Sequence, residues 1–415
     1  MCRVFLLFIV LFAACTTERM TNIEQLMEDL SAAENASQRE QHIEHFMEQV
    51  RRTGTPLIEN DTTVIYLYQG ANKRVRILGD ITQWADNIEM ENIPGTDLYY
   101  YRGIHPAEAR LEYQLIIDDD PPIADPLCPY KVLNGLGSHS ELAMPGYTYH
   151  PALESVRDGT PGDYARVTQH LLPSGIMGYA TDIYVYTPPE YESLNTHHPT
   201  IYVLDGQDYI EYAHAPAVLD HLIESGELEP VIAVFIAPPN RHAMAIPNRS
   251  TEYGMNPDYA RFMADEVVPF VEKHYRSLAL PSARLVAGPS YAGLASAYIA
   301  LHHPNVFGLA YSQSGYLSFR SNALVEAYRH APRKPIRLYV DIGIYEQMVG
   351  LGWLPDDAVN FLEANRQFKK VLTEKGYDFI YQEYPEGHTW GNWRTYLIDT
   401  LSHFFPADIQ SEQTP

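Results

Sequence analysis

The chain has 415 residues, enough for two globular domains with some excess. Its 53 acidic and 29 basic residues leave a formal net charge of −24, and no basic run breaks the balance. Such a surface repels phosphate backbones, so nucleic acid is not an expected partner. A composition 46% hydrophobic and 20% charged, with no low-complexity tract, excludes wholesale disorder.

At the N-terminus Arg3 precedes an apolar run over 4–11, followed by Phe12-Ala13-Ala14-Cys15. A charged start, a short hydrophobic segment and small residues before a cleavage point predict an export signal. Roughly eleven apolar residues are too few to span a bilayer, which takes about 20. The small residues immediately before Cys15 resemble the lipobox of bacterial lipoproteins. That resemblance implies cleavage before Cys15, lipidation of its thiol and a membrane anchor in the cell envelope. Thr16 lacks the aspartate of inner-membrane retention, which points to the outer membrane. A plain cleaved signal with an incidental cysteine is the alternative. Cys2 would leave with the signal and Cys15 would carry lipid, so Cys128 would stand alone, with no intrachain disulfide.

Residues 22–52 are polar and helix-prone, with Ile23, Leu26, Met27 and Leu30 at helical spacing and Phe46 and Val50 in a second stretch. They predict a helical lead-in over 15–54. Over 55–150 the pattern turns to short β-runs: 63–68, 75–78, 98–101 and 111–115, separated by turn residues such as Gly70-Ala71-Asn72 and Pro94-Gly95-Thr96-Asp97. Several short strands in so few residues predict a small all-β sandwich. From about 160 to 407 strand and helix alternate. Candidate strands are 181–186, 200–204, 231–236, 284–287, 336–341 and 379–384; candidate helices are 217–225, 259–275, 291–302 and 357–375. This alternation predicts a mostly parallel sheet with helices on both faces, and runs such as Val231-Ile232-Ala233-Val234-Phe235-Ile236 suit strands buried on both sides.

The sharpest motif is Leu285-Val286-Ala287-Gly288-Pro289-Ser290-Tyr291-Ala292-Gly293. An apolar strand enters a tight turn carrying Ser290, and a helix follows at once, the context of a nucleophile elbow. Small flanking residues let strand and helix pass closely, although Ala292 stands where a second glycine is usual. The Tyr291 amide, at the helix N-terminus, is placed to hold an oxyanion. In Leu204-Asp205-Gly206-Gln207, Gly206 lets the backbone turn and the Gln207 amide supplies a second donor; an ordinary strand-exit turn is the alternative. Tyr384-Pro385-Glu386-Gly387-His388 places a histidine in a loop after the last strand, so His388 is the expected base. The acid that orients the imidazole should follow the 336–340 strand, as Glu346 in the next loop or Asp341 at the strand end, with Glu346 preferred. A Ser-His dyad without an essential acid remains open.

Together these residues resemble the family that includes enterochelin esterases, feruloyl and acetylxylan esterases and esterase D. The resemblance spans about 166–405. It rests on Leu204-Asp205-Gly206, Arg249 with Glu252, the elbow, Ser312-Gln313-Ser314-Gly315, and Gly387-His388 with Trp390. The β-rich segment, through Gly79-Asp80 with Trp84, Met90, Tyr113 and Asp125-Pro126, resembles the Ig-like domain of glycogen-branching enzymes and enterochelin esterases. The resemblance implies an α/β-hydrolase catalytic domain behind an Ig-like sandwich. It implies Ser290, His388 and Glu346 as a triad, with Gln207 and Tyr291 at the oxyanion hole. It further implies an Arg249–Glu252 ion pair and Trp390 as support, and no cofactor. Trp84 is expected in the core or at the interface, with carbohydrate contact as the alternative.

The expected reaction is ester hydrolysis through an acyl-enzyme. A small ester or a polysaccharide-linked ester, feruloyl or acetyl, is the preferred substrate. A siderophore trilactone of the enterochelin type and acyl transfer by the same triad are alternatives. A glycan-binding surface lipoprotein without catalysis is the alternative of another class.

Overall fold

The computed structural model describes residues 22–71, 74–135, 137–157, 164–238, 246–349 and 360–407. The signal reading and Cys15 lie outside them. Among the described residues no helix is long and apolar enough to cross a membrane.

Two helices open the described chain, Ile23–Ala32 and Ala36–Thr53. Each starts at an asparagine whose side chain accepts backbone N–H bonds, Asn22 from Glu24 and Gln25 and Asn35 from Gln38. Such caps satisfy donors that a helix start leaves open. Gly54, at φ +78°, ends the second helix by donating to the Val50 carbonyl. Ile23, Leu26, Leu30, Phe46, Met47 and Val50 pack on the sheet that follows.

Among the described residues, nine strands form two antiparallel sheets: β1 (Leu57–Ile58), β2 (Thr63–Gln69), β3 (Val75–Gly79), β4 (Ile88–Glu89), β5 (Glu91–Asn92), β6 (Leu98–Ile104), β7 (Arg110–Ile117), β8 (Lys131–Asn134) and β9 (Gly137–Ala143). Their orders are β1-β2-β6-β5 and β4-β3-β7-β9-β8. Val64 and Tyr66 of β2 face Val75, Ile77, Tyr113 and Leu115 between the sheets, while Ile65 and Leu67 face the two helices. Alternate side chains of a strand leave opposite faces, so a sheet covered on both sides gives this unbroken apolar run.

The larger sheet has eight strands: β10 (Val167–Pro173), β11 (Ala180–Tyr186), β12 (Thr200–Leu204), β13 (Ile232–Ile236), β14 (Arg284–Pro289), β15 (Leu309–Gln313), β16 (Arg337–Gly343) and β17 (Asp378–Tyr384). The order is β10-β11-β13-β12-β14-β15-β16-β17. β11 runs antiparallel to both of its neighbours, β10 and β13, and the remaining neighbours are parallel. Both faces are apolar: Tyr202, Leu204, Val234 and Val286 enter one core, Ile201, Val203, Phe235 and Leu285 the other. Each such side chain contributes about 1.5–3 kcal/mol on full burial. The winding direction reverses between β12 and β14, and in open α/β sheets the crevice at the carboxyl ends beside such a switch is where ligands bind.

Two differences from the sequence reading have local causes. β10 and β15 are additional strands, and Leu309-Ala310-Tyr311-Ser312-Gln313 ends in polar residues that blur its strand character. The helix expected over 259–275 is interrupted, running as Pro257–Phe262, a π-turn at Met263–Val267, then Val268–His274. Pro269 has no N–H and its ring displaces the preceding turn, which opens the wider loop.

Candidate active site

Ser290 stands between β14 and the helix Tyr291–His302 with φ +57° and ψ −119°. A non-glycine residue reaches that conformation only when its surroundings hold it. Here the Ser290 N–H donates to the Gln313 carbonyl at 2.9 Å, and its own carbonyl accepts from Leu294 and Tyr316, each at 3.0 Å. The crowding explains the glycines. A Cβ on Gly288 would lie 2.5 Å from that of Ala292, and one on Gly293 would lie 3.0 Å from the Gln313 and Gly288 carbonyl oxygens. The methyl of Ala292 is thus accommodated opposite Gly288, and Gly293 provides the close approach to β15.

His388 follows β17 and is buried beside the serine. Its Nε2 lies 3.0 Å from Ser290 Oγ, and its Nδ1 lies 2.6 Å from Glu346 Oε2. A carboxylate only accepts, so Nδ1 carries the proton and Nε2 is free to accept from the hydroxyl. Glu346 is fixed in turn: Oε1 accepts from the Gly343 N–H at 2.8 Å and from the Ser314 hydroxyl at 2.7 Å. Trp393 Nε1 donates to Ser314 Oγ at 3.0 Å. The imidazole is held edge-on between Phe361 and Trp393, with ring centroids 5.1 and 4.9 Å away. An acceptor nitrogen on a serine hydroxyl, backed by a buried carboxylate, can take up the hydroxyl proton as the oxygen attacks a carbonyl.

Of the two acids the sequence left open, the structure brings Glu346 to His388. Asp341, at the end of β16, accepts instead from the Tyr311 hydroxyl and from the Ser314 N–H at 3.0 Å. Burial pushes its carboxyl up to about 7. Asp341 thereby braces the β15 exit, while Glu346 reaches the imidazole.

Gln207 and Tyr291 each lie in the first turn of a helix, the helices leaving β12 and β14 at the same sheet edge. Asp205 takes φ +55° before that turn. Gly206 is required by contact: a Cβ there would lie 2.4 Å from backbone atoms of Phe235 and Ile236.

The expected Arg249–Glu252 pair is not formed. Arg249 Nε lies 2.8 Å from Asp205 Oδ1 and Nη2 reaches Oδ2, while the guanidinium lies over the Tyr253 and Tyr291 rings. The reason is geometric: the arginine fork meets both Asp205 oxygens, the two-point contact that suits a carboxylate best. Glu252 is buried without a hydrogen-bond partner among the described residues, and desolvation pushes its carboxyl up to about 8. Trp390 packs against Tyr209, Tyr212 and Trp393, and the indole against the imidazole is that of Trp393. Sequence reasoning missed the roles of Ser314 and Trp393. Ser314 lies in Ser312-Gln313-Ser314-Gly315, and nothing in the spacing of that motif points to Glu346.

The family model named Esterase matches residues 174–404. The chain belongs to the Esterase family. It is a serine carboxylic-ester hydrolase. The esterase is 25% identical to the iron(III) enterobactin esterase of Dickeya dadantii (strain 3937) over 417 aligned residues, covering 88% of this chain and 93% of that one. It is 27% identical over 219 residues to the uncharacterized protein YjcH of Bacillus subtilis (strain 168), covering 52% and 88%. Among solved structures, the ferric enterobactin esterase of Salmonella typhimurium superposes with a TM-score of 0.71 at 20% identity, covering 86% of this chain and 98% of that one. The enterobactin esterase of Shigella flexneri gives 0.69 at 22%, covering 84% and 94%. At these identities the solved structures establish a shared fold.

Proposed function

We propose that Ser290 is the nucleophile of this esterase, His388 its general base and Glu346 the acid that orients the imidazole. The continuous chain from Ser290 Oγ through His388 to Glu346, at 3.0 and 2.6 Å, carries this reading. Ser290 Oγ attacks the ester carbonyl as its proton passes to His388 Nε2. The oxyanion is held by the Tyr291 and Gln207 amides. The C–O bond to the alcohol breaks, and His388 returns the proton to the departing alkoxide. Water then attacks the acyl-enzyme with the same histidine as base, releasing the acid and restoring the serine.

The substrate in this reading is an uncharged ester. Similarity to iron(III) enterobactin esterases across both sheet units supports a siderophore trilactone of the enterochelin type. The net charge of −24, and the engagement of Arg249 by Asp205, favour an iron-free trilactone over an anionic ferric complex. The same charge argument supports the second reading, a feruloyl or acetyl ester on carbohydrate. The two-sheet unit is an Ig-like module in this proposal, and the segment ending in Ala14-Cys15 makes the enzyme an exported lipoprotein anchored through Cys15, in the outer membrane.

The test is turnover of p-nitrophenyl acetate, methyl ferulate, iron-free trilactone and its ferric complex by protein starting at Thr16, beside Ser290→Ala. Hydrolysis lost in the variant is the expected result, and the preferred ester names the substrate class. Turnover equal in Ser290→Ala would refute the nucleophile assignment.

A further inference from the structure

The all-β unit touches both loops that carry the base and the acid, and it does so largely with buried charge. Glu112, on β7, is fully buried. Its Oε1 accepts from Arg110 Nη2 at 2.9 Å and from the Gly391 backbone N–H at 3.2 Å, while Oε2 lies 2.8 Å from His139 Nδ1. Gly391 is the second residue of the helix Trp390–Phe404, which begins two residues after His388. A helix start needs acceptors for its first N–H groups, usually from the N-cap side chain. Thr389 occupies that position and makes no such bond. The cap comes instead from the other unit, as a carboxylate at the positive end of the helix dipole.

The neighbouring contacts are as close. A Cβ on Gly391 would stand 2.0 Å from the Arg110 guanidinium, and one on Gly387 would stand 2.1 Å from Asp80 Oδ1. These two glycines let the histidine loop lie against the cluster. Glu386 Oε2 lies 3.9 Å from Arg110 Nη1. Around the acid, Gln83 Oε1 accepts from the Met348 N–H, and His105 Nδ1 lies 3.1 Å from the Tyr345 hydroxyl. The backbone bonds that hold Ser290, by contrast, go to Gln313, Leu294 and Tyr316 inside the larger unit.

We propose that Glu112 is a positioning residue for catalysis: through it the all-β unit caps the helix behind His388 and fixes the imidazole against Ser290 and Glu346. This rests on the reading of His388 as the base. The groups facing the Glu112 carboxylate are Arg110 and His139, with Asp80, Glu141, Glu386 and Arg394 in the same cluster.

In the full-length protein, Glu112→Ala, which leaves no oxygen for the Gly391 N–H, is expected to lower kcat on p-nitrophenyl acetate about tenfold or more, the scale of a misplaced catalytic group. KM should stay within about twofold, and the acid limb of the pH–rate profile should move. Adding Thr389→Asn, a neutral cap within the helix itself, should recover part of the lost kcat. Glu141→Gln is the comparator: it removes another buried partner of Arg110, one that meets the helix behind His388 through the Arg394 side chain at 3.6 Å. It should lower Tm while leaving the pH profile in place. Should Glu112→Ala not fold, Asp80→Asn, against Gly387, carries the same expectation. Unchanged kcat and profile in the Glu112 variant, or an equal profile shift in Glu141→Gln, would overturn the proposal. If Ser290→Ala is inactive while Glu112→Ala matches wild type, only this inference falls. Full activity in Ser290→Ala removes the triad reading and this inference with it.

Discussion

Replacing Glu346 by glutamine tests the base–acid pair with almost no change of shape. The two carboxylate oxygens have different surroundings. Oε1 receives two donors, the Gly343 N–H and the Ser314 hydroxyl, and Oε2 meets His388 Nδ1. A glutamine must therefore put its carbonyl oxygen at the Oε1 position, because an NH₂ there would face donors. Its NH₂ then points at Nδ1 and donates, which forces the imidazole proton onto Nε2. In that tautomer Nε2 donates toward Ser290 and cannot accept its proton. Triads with this change lose about 10⁴ in kcat, equivalent to about 5.5 kcal/mol of transition-state stabilisation. The assay is steady-state hydrolysis of p-nitrophenyl acetate with fluorophosphonate labelling of Ser290, which should slow in parallel. Asp341→Asn serves as the comparator, since Asp341 contacts Tyr311 and Ser314. A Glu346→Gln enzyme within about tenfold of wild type, or an Asp341→Asn enzyme equally impaired, would refute the reasoning.

Other consequences follow from the same contacts. Ser314→Ala removes the bond to Glu346 and strands the buried Trp393 N–H, so it should cost about 2–4 kcal/mol in chemical denaturation and lower kcat with little change in KM. Burial raises Glu252 from 4.5 to about 8, so the folded state keeps a proton that the unfolded chain releases. That contribution is complete below the unfolded value and is lost as pH rises to about 8, a fall on the order of a few kcal/mol. Unfolding free energy should decline across this window and decline less in Glu252→Gln; identical slopes would show that Glu252 does not titrate there. Gly206→Ala sets a methyl against the β13 backbone, which cannot yield as a side chain can, and should cost about 3 kcal/mol or more, read as a lowered Tm or loss of soluble protein.

What the sequence determined by itself was local. Thr200–Leu204 and Tyr291–His302 match the elements observed, because an apolar strand and a small-residue helix behind a strained serine are specified by neighbours along the chain. Ser290 and His388 were legible for the same reason, each marked by the turn or strand end just before it. Other elements depended on distant partners. The π-turn at Met263–Val267 is written in Pro269, but its effect appears only when the helix is packed. The sequence favours Glu346 as the acid but leaves Asp341, five residues away, as an alternative, because the choice rests on which carboxylate meets an imidazole 42 residues downstream of Glu346. Sequence proximity pairs Arg249 with Glu252, its neighbour on the helix, but the fold sets its guanidinium against both carboxylate oxygens of Asp205, 44 residues away. The tertiary structure alone decided that Glu112 caps the helix behind His388, across 279 residues of chain. Periodicity and motifs record what a residue does to its neighbours; the partner of a buried charge is set by the fold that removes it from water.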